Sequence, residues 1–285
     1  MWPLRRRFRT ARLEVRGSTF EWGSRTYVMG IINVTPDSFS GDGIGDDPGR
    51  AVALAREFET AGADILDLGG ESSRPGAEPL QPEEEWRRVL PALEAVRAAT
   101  DLPLSIDTYH SAVAEAALRA GADIVNDIHG LRADPAMVET VARYGAALVA
   151  MHNQRGREFH DVVGDIRAGF SESLGLAEAA GIDLGRIVLD PGFGFGWTPE
   201  QNLEMLRRLP ELWDVEMPLL VGTSRKSTIG LVLDAPVEER FEGTAASIVA
   251  SIAAGADIVR VHDVREMVRV ARVTDAIVRG NWRQR

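Results

Sequence analysis

A (β/α)8 barrel is the fold predicted by three observations: a phrase that recurs three times, eight short apolar runs spaced for strands, and helical patterns between them. The phrase is Ala-Gly-Ala-Asp-Ile followed by Leu or Val, at Ala61 to Leu66, Ala120 to Val125 and Ala254 to Val259. Each copy follows a helical stretch and opens an apolar run, so it reads as a helix-to-strand junction. Its glycine suits a helix C-terminus, where the left-handed conformation carries no side-chain penalty. The run that follows suits a strand covered on both faces.

Outward from these junctions, strands are predicted near 27–33, 64–69, 103–107, 123–127, 146–151, 186–190, 218–222 and 257–261. Met137, Val138, Val141 and Tyr144 mark one intervening helix face, and Val264, Met267, Val268 and Ala271 another. Thr198-Pro-Glu-Gln201 combines a capping threonine, a first-turn proline and a reciprocal glutamine, so a helix begins there. An open doubly wound sheet is the alternative that the same elements allow. The chain divides into an N-terminal arm and leading segment, 1–26, and a single barrel domain, 27–285. Met1 to Arg12 holds Arg5, Arg6, Arg7 and Arg9 without the apolar stretch of a signal peptide and is expected to be a frayed basic arm.

Composition narrows the function. The 285 residues are 45% hydrophobic, enough for a large core. A formal net charge of -11 excludes a general nucleic-acid binder, and no membrane segment is visible. The absence of cysteine rules out disulfides, thiolate metal sites and a cysteine nucleophile, and permits a cytoplasmic address.

In a barrel of this kind the chemistry gathers at the C-terminal strand ends. Those ends read Asn33, Gly70-Glu71, Asp107, Asn126-Asp127, Met151-His152, Asp190, Ser224 to Ser227, and Arg260 to Asp263. Lys226 stands out as the only lysine among 32 basic residues. It is either a chance survivor or a place where a compact ammonium does what a planar guanidinium cannot. Asp190 is either a site acid or a turn residue before Pro191. His110, His129 and His160 lack the paired spacing of a zinc hydrolase and are expected in surface or supporting roles. Gly222-Thr-Ser-Arg-Lys226 lacks the last glycine of a nucleophile elbow.

Taken in order, Val28-Met-Gly-Ile-Ile-Asn-Val-Thr-Pro-Asp-Ser-Phe-Ser40, Glu71-Ser-Ser-Arg-Pro-Gly76, Ser105-Ile-Asp-Thr-Tyr109, Val125-Asn-Asp-Ile128, Leu189-Asp-Pro-Gly-Phe-Gly-Phe195, Ser224-Arg-Lys-Ser227 and Arg260-Val-His-Asp263 closely resemble dihydropteroate synthase. That family condenses a dihydropterin pyrophosphate with 4-aminobenzoate and releases pyrophosphate. The resemblance implies that Asp107 and Asp190 accept from the aminopyrimidine edge, with Asn126 completing the pattern and Met151 and Ile128 packing on the ring. It implies a pyrophosphate clamp of Ser73, Arg74, Arg260, His262 and Asn33, with Asn33 also contacting Mg2+. It places Lys226 between pterin and aminobenzoate, Ser227 at the aminobenzoate carboxylate, and Thr35, Phe39, Ser73, Pro75 and Phe195 around it. Lys226, Arg260, His262 and Asn33 form the implied catalytic set. A homodimer through 241–253 and 263–279, with Ile252 and Val268 among the apolar positions, is also implied.

Three departures from the family pattern stand out. Trp197 occupies a position that generally holds lysine, the first loop carries an extra glycine in Ser40-Gly-Asp-Gly43, and His152 is followed by Asn153-Gln-Arg-Gly156. A pterin-binding methyltransferase domain and a non-catalytic pterin-binding paralogue remain the alternatives.

Overall fold

The computed structural model describes residues 7–35, 45, 47–71, 79–280 and 282. Eight parallel strands form the central sheet: β3 (Tyr27–Asn33), β4 (Ile65–Gly69), β5 (Leu104–Asp107), β6 (Ile124–Asp127), β7 (Ala147–Met151), β8 (Ile187–Asp190), β9 (Leu220–Val221) and β10 (Ile258–Val261). Each falls within a predicted span. The sheet runs β8-β7-β6-β5-β4-β3-β10-β9, and a bridge between Leu189 and Leu219 joins its two edges. Helices α1 (Pro48–Ala61), α2 (Pro82–Arg97), α3 (Ser111–Arg119), α4 (Pro135–Tyr144), α5 (Val162–Ala179), α6 (Pro199–Arg208), α7 (Ser227–Leu233), α8 (Phe241–Ala253) and α9 (Val264–Arg279) cover the outside. The predicted start of α6 is present as a reciprocal cap between Thr198 and Gln201.

The repeated phrase has a second purpose besides ending a helix. Gly62, Gly121 and Gly255 all take left-handed φ values near 100°. The aspartate two residues later then accepts a backbone N–H at the start of a neighbouring strand: Asp64 from Val28 at 2.8 Å, Asp123 from Leu104 at 3.0 Å, and Asp257 from Leu219 at 2.9 Å. Each junction therefore reverses the chain and satisfies a strand-end donor that would otherwise be orphaned.

The lower end of the barrel is closed by a hairpin that the sequence reading did not contain. β1 (Arg12–Val15) pairs antiparallel with β2 (Ser18–Glu21) through a turn in which Arg16 and Gly17 both have positive φ, the geometry of a two-residue hairpin. Leu13, Val15, Phe20 and Trp22 pack against the inward side chains Tyr27, Met29, Ile65, Ile124, Val149, Val188, Leu220 and Ile258. The frayed-arm expectation fails for its described part: Phe8 packs on this cluster and the Arg9 amide donates to Glu216 O at 2.8 Å. Apolar contact with the plug outweighs the solvation of the neighbouring arginines. Residues 1–6 lie outside the described set.

Candidate active site

Side chains alternate along a strand, so each inward column rises in steps of two residues. At the level above the plug, four inward columns turn polar while one stays apolar at Met151. Ile65 is followed by Asp67, Ile124 by Asn126, Val188 by Asp190, Ile258 by Arg260, and Val149 by Met151. The strand register sets Asp107 opposite both Gly69 and Asn126, and Met151 opposite Asp190.

Asp67 ties the floor together. It is fully buried, and its Oδ2 accepts from Arg260 Nε at 2.6 Å and from Asn126 Nδ2 at 3.1 Å. Arg260 Nη2 donates to Asp107 Oδ2 at 2.6 Å. Two of the guanidinium nitrogens implied to grip pyrophosphate are thus committed to carboxylates here. Asp67 was missed because it lies mid-strand, although a carboxylate inside Ile65-Leu-Asp-Leu-Gly69 was a visible signal. Asp67 Oδ1 and the Oγ of its register partner Ser105 are buried without hydrogen-bond partners.

Burial pushes the Asp107 carboxyl up to about 7, opposed by contact with the Arg260 guanidinium and reinforced by Asp67. Burial also raises Asp190, against the pull of Lys226. Its Oδ1 accepts from the Gly192 amide at 2.7 Å. Asp190 therefore fixes the following turn and is a buried acid as well. Burial lowers the Lys226 ammonium to about 8, with Asp190 working the other way. Arg260 is raised: burial works against its charge, but Asp67 and Asp107 outweigh that.

Lys226 reaches across from the loop before α7. Its Nζ donates to Phe193 O and lies 4.6 Å from the centre of the Phe195 ring. A side chain on Gly194, where φ is +85°, would stand 3.0 Å from Lys226 Cδ. Gly192 is tighter still, since a Cβ there would meet His152 O at 1.9 Å. Their neighbours divide the work, Phe193 entering the main core and Phe195 joining Ile128 and Met151 in a separate apolar wall, with Tyr109 beside it.

Of the remaining sequence-derived residues, Asn33 ends β3 half-buried, and Thr35 is buried with Oγ1 unpartnered. Ser227 opens α7 beside Lys226. His262 meets Ser224 Oγ through Nδ1 at 2.9 Å. Phe39, Ser73, Arg74 and Pro75 lie outside the described residues. Trp197 is a core residue, with its ring 5.6 Å from His152 and 6.4 Å from Phe159. In the altered segment, the Gln154 amide donates to Phe195 O at 3.1 Å and Arg155 lies over the outer side of that assembly, 4.9 Å from the Phe195 ring centre. Burial lowers His152 to about 4, and its Nε2 lies 2.8 Å from Gln154 Oε1.

A barrel with buried acids and an amide beside an apolar wall offers hydrogen-bond acceptors to the edge of a flat heterocycle and packing to its face. Comparison with known proteins agrees. The model of the pterin binding enzyme family matches residues 29–262. The dihydropteroate synthase of Clostridium beijerinckii is 47% identical over 94% of this chain and 100% of its own length, and that of Bacillus subtilis 43% over 93% of each. Dihydropteroate synthase from Clostridium difficile, solved in the presence of pteroic acid, has a TM-score of 0.87 and 49% identity over 91% of this chain and 99% of its own. The Xanthomonas albilineans enzyme with 4-aminobenzoic acid has a TM-score of 0.87 and 41% identity over 94% and 98%. The fold and floor define a barrel enzyme of the pterin-binding class. Within that class, the chain belongs to the dihydropteroate synthase family, whose members are transferases.

Proposed function

We propose that this pocket joins 6-hydroxymethyl-7,8-dihydropterin pyrophosphate to 4-aminobenzoate, giving 7,8-dihydropteroate and pyrophosphate. The observation that carries the reading is the floor in which Asp67, Asp107, Asn126 and Arg260 share one hydrogen-bonded network, with Asp190 and Lys226 facing them across the barrel. Asp107, Asp190 and Asn126 take the aminopyrimidine edge, while Met151, Ile128 and Phe195 cover the ring. Asp67 holds Arg260 and Asn126 in place and so acts through them. Lys226 lies between the acids and the Phe195 face, where its ammonium and the second substrate meet.

The pterin's electron-rich ring supports positive charge at its exocyclic carbon, so the bond to pyrophosphate breaks ahead of amine attack. The protein contributes electrostatic stabilisation and alignment, and needs no covalent intermediate. His262, Arg74 and Ser73 are proposed to receive the departing pyrophosphate, and Ser227, Thr35, Phe39 and Pro75 to border aminobenzoate. Asn33 supplies one amide oxygen at the rim, which suits Mg2+ because that ion keeps most of its water and shares phosphate oxygens. When bound, it would offset charge on the pyrophosphate. Sulfonamides, as aminobenzoate mimics, should compete at the same place; one solved relative, from Yersinia pestis, carries a sulfonamide drug complex.

Assembly as a homodimer is supported by an exposed apolar face, to which Ile252 and Val268 do not contribute. Ile252 and Val268 are 1% and 3% exposed, inside the chain's own core. Leu203, Val232 and Leu233, all exposed, instead line an open groove of about 680 Å3 between α6, α7 and α8. Among the described residues no helix is long and apolar enough to cross a membrane.

Purified protein given both substrates and Mg2+ should release pyrophosphate and form dihydropteroate, each dependent on 4-aminobenzoate. Tight binding of the pterin pyrophosphate without product would overturn the synthase reading in favour of a pterin-binding paralogue.

A further inference from the structure

The roots of two rim loops carry a mixed set of donors outside the network of Asp67, Asn126, Arg260 and Asp107. Glu71 follows β4, Tyr109 and His110 follow β5, and Glu85 comes from the first turn of α2. One donor atom each from Glu71, Glu85 and His110 lies within 4.8 Å of the other two. His110 Nδ1 is 2.7 Å from Glu85 Oε2, and Tyr109 Oη donates to Glu71 Oε1 at 2.8 Å. Independently of those contacts, the other Glu85 oxygen is an orphan. The residue is 1% exposed, and its Oε1 is shielded from solvent without a hydrogen-bond partner. A buried carboxylate oxygen left without a donor is costly, and a cation beside it removes that cost.

We propose that Glu71, Glu85 and His110 form a divalent-cation site whose donor set, one imidazole and two carboxylates, suits zinc. Such nitrogen and oxygen ligands are those zinc takes in proteins, and the carboxylates neutralise its charge. The ion replaces the His110–Glu85 hydrogen bond and can engage the orphaned oxygen. Glu71 and His110 are half-buried, so water can complete the coordination, while Tyr109 orients Glu71 from behind. Occupied, the site fastens the end of β4 to the loop after β5 through α2. Its three ligands are none of the residues of the proposed condensation.

Full-length protein stripped with chelator and dialysed is titrated with zinc chloride by calorimetry and with Co2+ by visible absorption. One ion per chain should bind with a dissociation constant of roughly micromolar or tighter and raise the melting temperature. Glu71→Gln and His110→Ala, both at the half-buried side of the cluster, should each weaken binding by more than about tenfold. Asn33→Ala and the exposed His160→Ala should leave it unchanged. Two results would overturn the site: no saturable binding of either ion up to about 1 mM, or binding that Glu71→Gln and His110→Ala alter by less than about twofold.

Discussion

The two ends of the barrel interior are built from the same strands yet obey opposite rules. At the lower end Met29, Ile65, Ile124, Val188 and Ile258 meet the hairpin residues Leu13, Val15 and Phe20, and the packing is apolar. One inward step higher, Asp67, Asn126, Asp190 and Arg260 occupy four of those columns. The plug gains free energy by burial alone. The floor above spends some of it, because charges held out of water are stabilising only while every partner stays in place. The pocket is thus a polar layer carried on an apolar foundation, which separates the residues that hold the fold from those proposed to bind substrate.

Asp67 should break that separation. Asp67→Asn leaves Arg260 with one carboxylate fewer and should cost about 3 kcal/mol in denaturant unfolding, while kcat/KM falls by roughly tenfold or more as Asn126 and Arg260 lose their anchor. A variant that harmed only one property would show the layers to be more independent than their shared hydrogen bonds indicate. Below it, Phe20→Ala should destabilise by about 3–5 kcal/mol through a cavity in the plug, with turnover of the remaining folded protein within about threefold of the parent. Above it, Lys226→Arg should do the reverse: unchanged melting, and kcat/KM lower by about 10²-fold, since Gly194 leaves little space around the stem.

A pH series sharpens the contrast. With Asp107 near 7 and Lys226 near 8, kcat/KM should rise toward about pH 7 as the acceptor ionises and fall above about 8 as the ammonium loses its proton. Stability moves the other way on the acid side. The folded Asp107 keeps a proton that the unfolded chain, at 3.8, has released, so this group makes folding less favourable as pH rises from 3.8 to about 7. A flat activity profile across neutrality would contradict both assignments. The smallest effect is expected at Trp197, where Trp197→Phe keeps the core contact, loses an indole N–H that has no partner, and should change kcat/KM by less than about twofold.

The central strands were legible because a barrel strand is buried on both faces and reads as an unbroken apolar run. The plug was not, because four-residue strands alternating Arg12, Leu13, Glu14 and Val15 look like a charged arm unless period two is sought in very short windows. Asp67 was not legible either, because it sits inside a strand, below the strand ends where barrel chemistry is expected. Lys226 was legible through composition alone, while the close approach of Gly194 to its stem is a matter of loop geometry that no sequence pattern carries. Trp197, which stands where the family generally has lysine, is a packing residue whose neighbours His152 and Phe159 flank the altered Asn153 to Gly156 segment.

The bridge between Leu189 and Leu219 gives the molecule a weak point in its hoop. Other neighbouring strands are riveted by ladders of two or more residue pairs, but this contact has a single one, helped by the Leu189 amide donating to Pro218 O at 2.9 Å. Asp190 stands on one lip of that join and Lys226 follows the other. A ligand that grips both spans the join like a clasp, so filling the pocket also tightens the hoop against springing open.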